Sequence, residues 1–292
     1  MKPAPFDYVV PSTVGEAVSL LEAHEGEAKI LAGGQSLMPL LTMRLARPEV
    51  LIDLSRLAEL DYIRETNGGL AIGATTTKRA VEDSALVKSR QPMLEVATRW
   101  IAHPQIRNRG TVGGSMAHAD PAAEYPALAM ALDAELCVVG PKGERSINAA
   151  DFFVTYLTTA LEPAEVLTEV RFPALSKGVG WSFTEVARRH GDFALAGAAV
   201  TAELEKSGHV SRARIVLFGV GATPLRALEA EKIVIGETPS ERLFEQAGGK
   251  VGEEIEDPLS DVHASAEYRR HLAQVLTRRG LAEAVGRASG AM

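Results

Sequence analysis

The residues best placed to do chemistry are two glycine pairs, in Ala32-Gly33-Gly34-Gln35-Ser36 and in Thr111-Val112-Gly113-Gly114-Ser115. Each stands between a β-like run and a helical or polar stretch. Glycine turns the backbone tightly and lets a ligand reach N–H groups with no Cβ in the way, while a following helix N-terminus adds positive potential. One such pair reads as a turn. Two of them, with flanking hydroxyl residues, read as halves of one clamp on a diphosphate, which points to a dinucleotide such as FAD or NAD. The Gly-x-Gly-x-x-Gly fingerprint, with its acidic residue about 20 positions on, occurs at neither pair. Gly219-Val220-Gly221 lacks the third glycine and reads as strand-to-helix packing. A fold other than the doubly wound one is therefore expected.

The chain has 292 residues, enough for two cores, and a net charge of -7, which argues against general affinity for nucleic acid. An anion must then be held locally, by backbone N–H groups and cations such as Arg107 and Arg109, unless these arginines are only solvated. Cys137 is the single cysteine, in a strand-like run, so neither a disulfide nor a four-cysteine metal or iron–sulfur site can be built from this chain. His118 and Glu124 lack a third ligand at sensible spacing, and no metal site is expected. No apolar signal core opens the sequence and no run is long enough to span a bilayer, so a cytoplasmic protein without direct membrane insertion is expected.

The elements that would carry the glycine pairs follow from local signals. Thr13-Val14-Gly15-Glu16 has capping-box spacing and opens a helix over Ala17 to His24. Lys29 to Leu31 is a strand feeding the first pair, Ser36 to Ala46 a helix, and Val50 to Asp53 a strand. Asn67-Gly68-Gly69 joins Tyr62 to Thr66 and Leu70 to Gly73 as a hairpin, so strand pairing changes from parallel to antiparallel. Helices are expected over Thr77 to Ser89, Pro92 to Ala102 and Pro121 to Leu132, and strands over Glu135 to Val139 and Val166 to Phe172. Pro173 to Gly180 is the best linker. Beyond it, Trp181 to Arg189, Ala198 to Leu204 and Val210 to Val220 read as an antiparallel sheet. Thr223-Pro224 reads as a cap and first helical residue for Leu225 to Ile235, with helices over Glu241 to Val251 and Ala266 to Val285.

The two glycine segments, with Ile106-Arg107-Asn108-Arg109-Gly110 before the second, Asp120-Pro121, and Arg188 to Ala194, resemble the FAD-binding medium subunit of the molybdenum hydroxylases, the xanthine and carbon monoxide dehydrogenase family. The resemblance covers nearly the whole chain. It implies an α+β protein: a two-domain FAD-binding fold of the vanillyl-alcohol oxidase (PCMH) type over residues 1–175, in subdomains of about 1–55 and 56–175. A smaller α+β domain with a three-stranded antiparallel sheet and helices would follow over 176–292.

The resemblance also implies the cofactor contacts. The backbone of Ala32, Gly33, Gly34, Gln35 and Ser36, continuing to Leu37, and that of Thr111, Gly113, Gly114 and Ser115 would hold the FAD diphosphate, with hydroxyls of Ser36, Thr111 and Ser115 as further donors. Asp120 would meet the ribityl chain, although a carboxylate there could equally cap a helix. Arg188 and Phe193 would lie at the isoalloxazine, where some members carry tyrosine in place of Phe193; the alternative for Phe193 is the core. Leu161 and Leu167 resemble flavin-lining positions or are core, Ala102 and Ile106 are further cofactor-binding positions, and Lys29 approaches the cofactor or is a solvated strand-end lysine.

No residue of this chain is expected to act on a substrate. The resemblance implies that its FAD takes electrons from iron–sulfur clusters in a small subunit, after oxidation at a molybdenum–pterin centre in a large subunit, in a dimer of heterotrimers. A self-contained FAD-dependent oxidase or reductase of the same fold is the alternative. A scaffold without cofactor would leave both glycine pairs unexplained.

Overall fold

A computed structural model describes residues 1–291, arranged around three main sheets. The N-terminal layer runs β1 (Asp7–Val9), α1 (Val14–Ala23), β2 (Ala28–Leu31), α2 (Leu37–Thr42) and β3 (Val50–Asp53). Its strands are parallel in the order β1-β3-β2, so β3, buried at all its residues, is central and β2 is an edge. Thr13 caps α1 by accepting the Glu16 N–H, but the Glu16 carboxylate reaches back to Ser12 rather than Thr13. α2 is shorter than the expected 36–46 because Arg44 turns left-handed at φ 60° and the Leu45 and Ala46 N–H groups fold back onto the Leu40 carbonyl.

The second sheet is antiparallel, as the hairpin signal indicated. β4 (Ile63–Thr66) and β5 (Gly69–Gly73) precede α3 (Lys78–Asp83), α4 (Ala85–Arg90), α5 (Pro92–Thr98), α6 (Pro104–Arg107), α7 (Val112–His118) and α8 (Glu124–Ala131). β6 (Glu135–Gly140), β7 (Gly143–Asn148), α9 (Ala149–Phe152), the small β8 (Phe153–Thr155)–β9 (Thr158–Thr159) pair and β10 (Val166–Pro173) complete it, in the order β4-β5-β10-β6-β7. The expected helix 77–89 is broken at Ser84, whose extended backbone ends α3 and whose hydroxyl caps α4 through the Val87 N–H. The helix expected to reach Ala102 stops at Thr98, and Ala102 itself is left-handed at φ 46°. The one expected from Pro121 starts at Glu124, since the Asp120 carboxylate accepts the Ala122 N–H and holds the chain in a turn.

The third sheet comprises β11 (Gly180–Val186), β12 (Ala196–Leu204), β13 (Val210–Phe218) and β14 (Leu225–Arg226), covered by α10 (Leu228–Val234), α11 (Glu241–Glu254) and α12 (Ala266–Ala288). It has four strands, not three. Thr223-Pro224 caps no helix: Leu225 and Arg226 pair with Leu217 and Val216, and the Ala227 N–H is spent on the Ile215 carbonyl, so α10 begins only at Leu228. β11 ends at Val186, before the Arg188 segment. Leu272, Ala273, Leu276, Thr277, Gly280, Leu281 and Ala284 form the buried stripe of α12, with the spacing of one helical face.

Small residues let α12 approach closely. A Cβ on Gly180 would overlap the Ala284 carbonyl oxygen and stand 2.6 Å from the Ala288 nitrogen, atoms fixed in the helix backbone. Gly180→Ala is therefore expected to cost about 1–3 kcal/mol of stability, the usual penalty for overpacking, read as a lower midpoint in urea unfolding.

Candidate functional site

The edge position of β2 sets the first glycine loop beside open space. Gly34 is left-handed at φ 72°, which favours glycine, and the Gln35 side-chain amide donates to the Gly33 carbonyl at 2.8 Å, fixing the turn. The backbone N–H groups from Gly33 through Leu37 meet no acceptor among the described residues. Successive free donors in a turn form a concave anion cradle. Gln35, Ser36 and Leu37 are half-buried around it, whereas Lys29 is exposed on β2.

The second glycine pair is built differently from expectation. It lies inside the first turn of α7, not in a loop: Thr111 caps that helix, and its hydroxyl accepts the Gly114 N–H at 3.0 Å. The neighbouring donors are also spent within the protein, Val112 N–H on the Thr76 carbonyl, Gly113 N–H on Ala74 at 2.9 Å and Ser115 N–H on Thr111. The segment thus offers a bare surface and the half-buried Ser115 hydroxyl rather than a second set of free N–H groups. Gly113 packs on the residue that follows β5, where its Cβ would stand 2.8 Å from the Ala74 Cα; a Cβ on Gly114 would meet the Thr111 hydroxyl oxygen at 2.7 Å and come within 3.6 Å of the Ala32 Cβ.

Between the two segments lies a cleft of about 70 Å³ whose lining includes Ala32, Gly113, Gly114, Leu161 and Leu167, five of the residues expected at the cofactor. The sequence reading missed Ala74, Thr75 and Ala117 on the same wall, small residues that carry no motif. A second expected group collects elsewhere. Ala102 immediately precedes His103, which packs its ring directly under Gly191 of the 188–193 loop and sits 6.4 Å from the His190 ring. Arg188 and Arg189 both pair with Asp192, and Phe193 is 63% exposed, which removes the core alternative for it. Ile106 holds the approach to α7 by accepting the Gly110 N–H at 2.7 Å. Asp120 is half-buried; one carboxylate oxygen makes the Ala122 turn and the other takes no protein hydrogen bond among the described residues.

The suggested role of Arg107 as a local field for the ligand is overturned. Its side chain is buried, paired with Glu82 at 2.8 Å and donating to the carbonyls of Ile101 and Ala102, so its charge is spent on the architecture. Arg107→Met would leave Glu82 only the 3.7 Å contact with Arg79 and two carbonyls without their donor, and is expected to cost about 3 kcal/mol in chemical denaturation.

A run of free N–H donors beside a glycine-faced helix start, on an α+β frame without the Rossmann order, has the chemistry of an anion cradle of the kind a dinucleotide's diphosphate requires. The chain belongs to the FAD-binding subunits of the molybdenum hydroxylases: residues 4–175 match the FAD binding domain in molybdopterin dehydrogenase and residues 181–284 the CO dehydrogenase flavoprotein C-terminal domain. It is 44% identical to the alpha subunit of the 6-hydroxypseudooxynicotine dehydrogenase complex of Paenarthrobacter nicotinovorans, over 99% of this chain and 97% of that one. Among solved structures, a chain of carbon monoxide dehydrogenase from Hydrogenophaga pseudoflava, in a form lacking the molybdenum–pyranopterin moiety, superposes with a TM-score of 0.95 at 40% identity, over 98% of this chain and 99% of that one. A chain of quinoline 2-oxidoreductase from Pseudomonas putida 86 gives 0.93 at 37% identity, over 99% of each.

Proposed function

We propose that this chain relays electrons through FAD, taking them from iron–sulfur clusters in a small partner subunit after oxidation at a molybdenum–pterin centre in a large one, and passing them to an external acceptor. The assembly we propose is a dimer of heterotrimers in the cytoplasm. Within the chain we propose an FAD-binding domain over 1–175, in subdomains of about 1–55 and 56–175, and a C-terminal α+β domain over 176–292. The observation that carries the reading is the unbroken run of free donors from Gly33 to Leu37 opposite the Cβ-free face of Gly114.

When bound, FAD supplies the ability to accept and release electrons singly or in pairs. The protein's part is to bind and orient it. The Gly33–Leu37 donors and the Ser36 and Ser115 hydroxyls take the diphosphate, Thr111 fixes the start of α7, the unoccupied oxygen of Asp120 accepts from the ribityl hydroxyls, and Leu161 and Leu167 give the cleft apolar walls. Ala102, Arg188 and Phe193 bound the isoalloxazine end, with Ile106 holding the loop between the two ends. The compound oxidised is chosen at the molybdenum subunit, which lies on another chain.

The purified wild-type protein is expected to bind one FAD per chain and to be yellow. Gly114→Asp places a carboxylate against the diphosphate; unit charges about 4 Å apart at an effective dielectric of about 20 repel by about 4 kcal/mol, so FAD affinity is expected to fall at least ~100-fold. Flavin absorbance against protein concentration reads this directly. Full flavin occupancy in the variant would refute the clamp, and turnover of a substrate by the isolated chain without iron or molybdenum would refute the relay.

A further inference from the structure

One wall of the cleft is held by side chains that carry no motif. Leu161 and Glu165, from the segment between β9 and β10, line the same space as Ala32 and Gly114 of the two glycine segments. Among the described residues, the hydrogen bonds that tie this segment to the β6–β7 hairpin come from two side chains. Arg145 on β7 donates to both oxygens of the Glu165 carboxylate, each at 2.7 Å, and to the Ala160 carbonyl at 2.9 Å. Lys142 in the hairpin turn reaches Glu162 at 3.3 Å. The Glu165 carboxylate also accepts the Glu162 N–H at 2.8 Å, and the Glu165 N–H returns to the Glu162 carbonyl at 3.0 Å, which closes the turn.

The Glu165 side chain is 6% exposed, whereas that of Arg145 is 42% exposed, so the pair joins the buried side of the segment to the surface of the sheet. The Arg145 guanidinium holds the Glu165 carboxyl below its ordinary value, and at neutral pH the pair is ionised. A bidentate pair of this kind fixes direction as well as distance. Gly140 makes room for it. Glu165 directly precedes β10, Arg145 lies on β7, and β6 stands between those strands, so the Glu165 side chain passes over the end of β6. A Cβ on Gly140 would stand 2.8 Å from the Glu165 Cγ. Glu162 and Pro163 are exposed and Leu161 is half-buried, so packing alone anchors the segment weakly.

We propose that Arg145 and Glu165 are positioning residues for the cofactor: their pair clamps residues 160–165 across Gly140, holds Leu161 against bound FAD, and so slows FAD release. The proposal rests on the FAD reading of the cleft. The pair acts through Leu161, the apolar side chain that this segment presents to the cleft.

The test is the rate of FAD release from the FAD-loaded full chain, read by flavin fluorescence on dilution, with the visible circular dichroism of the bound flavin as a second signal. Glu165→Leu and Arg145→Met are each expected to release FAD about tenfold faster, the order set by one charge-assisted hydrogen-bond pair, and to alter the circular dichroism. Arg145→Lys keeps the charge but not the fork, and is expected to fall between Arg145→Met and wild type. The sign separates positioning from charge: removing a carboxylate beside an anion site would, by electrostatics alone, slow release, whereas a lost clamp speeds it in Glu165→Leu. Leu161→Ala is expected to match these variants. Combined with Glu165→Leu, it is expected to release FAD no faster than the faster single variant, because both changes act at one contact. Effects that multiply in the double variant overturn the proposal, as does a folded Glu165→Leu or Arg145→Met that releases FAD at the wild-type rate. If those two variants fail to fold, Gly140→Ala, which alters neither charge, decides: faster release supports the clamp and wild-type release overturns it. A wild-type protein that binds no FAD would instead strike the FAD reading itself.

Discussion

Gly33 lies with its Cα against the backbone of Arg109 and Gly110, so close that a methyl group would overlap the Arg109 carbonyl oxygen. That approach fixes the distance between the parallel N-terminal layer and the helices that lead to α7, and with it the width of the cleft. Gly113 makes a second contact of this kind against Ala74 on the antiparallel sheet. Backbone on backbone leaves nothing flexible to yield. The two residues of each pair thus divide the work: the first glycine sets the spacing of the layers, and the second either turns the chain, as Gly34 does, or faces the cleft, as Gly114 does.

The electrostatics follow from this spacing. A chain of net charge -7 offers an anion neutral donors rather than a strong cation: the free N–H groups at Gly33–Leu37 are dipoles concentrated in one turn. The buried arginine nearby, Arg107, instead ties the 101–102 carbonyls to Glu82. It thereby holds Ala102 in its left-handed turn, on which the His103–Gly191 contact depends. Charge is used to build the walls, and the ligand site itself is left to the backbone.

Much of this was legible in residue order. The glycine pairs, the Asn67-Gly68-Gly69 hairpin and the change from parallel to antiparallel pairing are all local signals, written in turn chemistry and short-range pattern. What failed to show was nonlocal. The sequence around Gly113 and Gly114 looks like a loop because glycine is a poor helix former, yet α7 forms there, since Thr111 caps it and Ala74 and Thr76 accept its first N–H groups from a distant strand end. Thr223-Pro224 carries a proper cap signal that lost to two residues of pairing with β13. Arg107 looks like a ligand-facing cation until Glu82, on another helix, is seen beside it.

The placement of the remaining polar chemistry suits transfer of electrons rather than attack on a substrate. Cys137 is half-buried on β6 beside Ser146 and Glu169, and burial pushes its thiol up, so the thiolate form that nucleophilic or ligand chemistry requires is disfavoured. Phe193 sits on a loop at the surface, held by two arginine–Asp192 pairs and by the His103 ring beneath Gly191. An exposed apolar ring gains from burial against another molecule, and a relay needs such an edge because its electrons enter and leave through other molecules. A self-contained oxidase would need its general acid or base at that edge. The carboxyls of this chain with the most perturbed protonation, Glu124 and Glu185, are instead buried, where they do not meet a substrate.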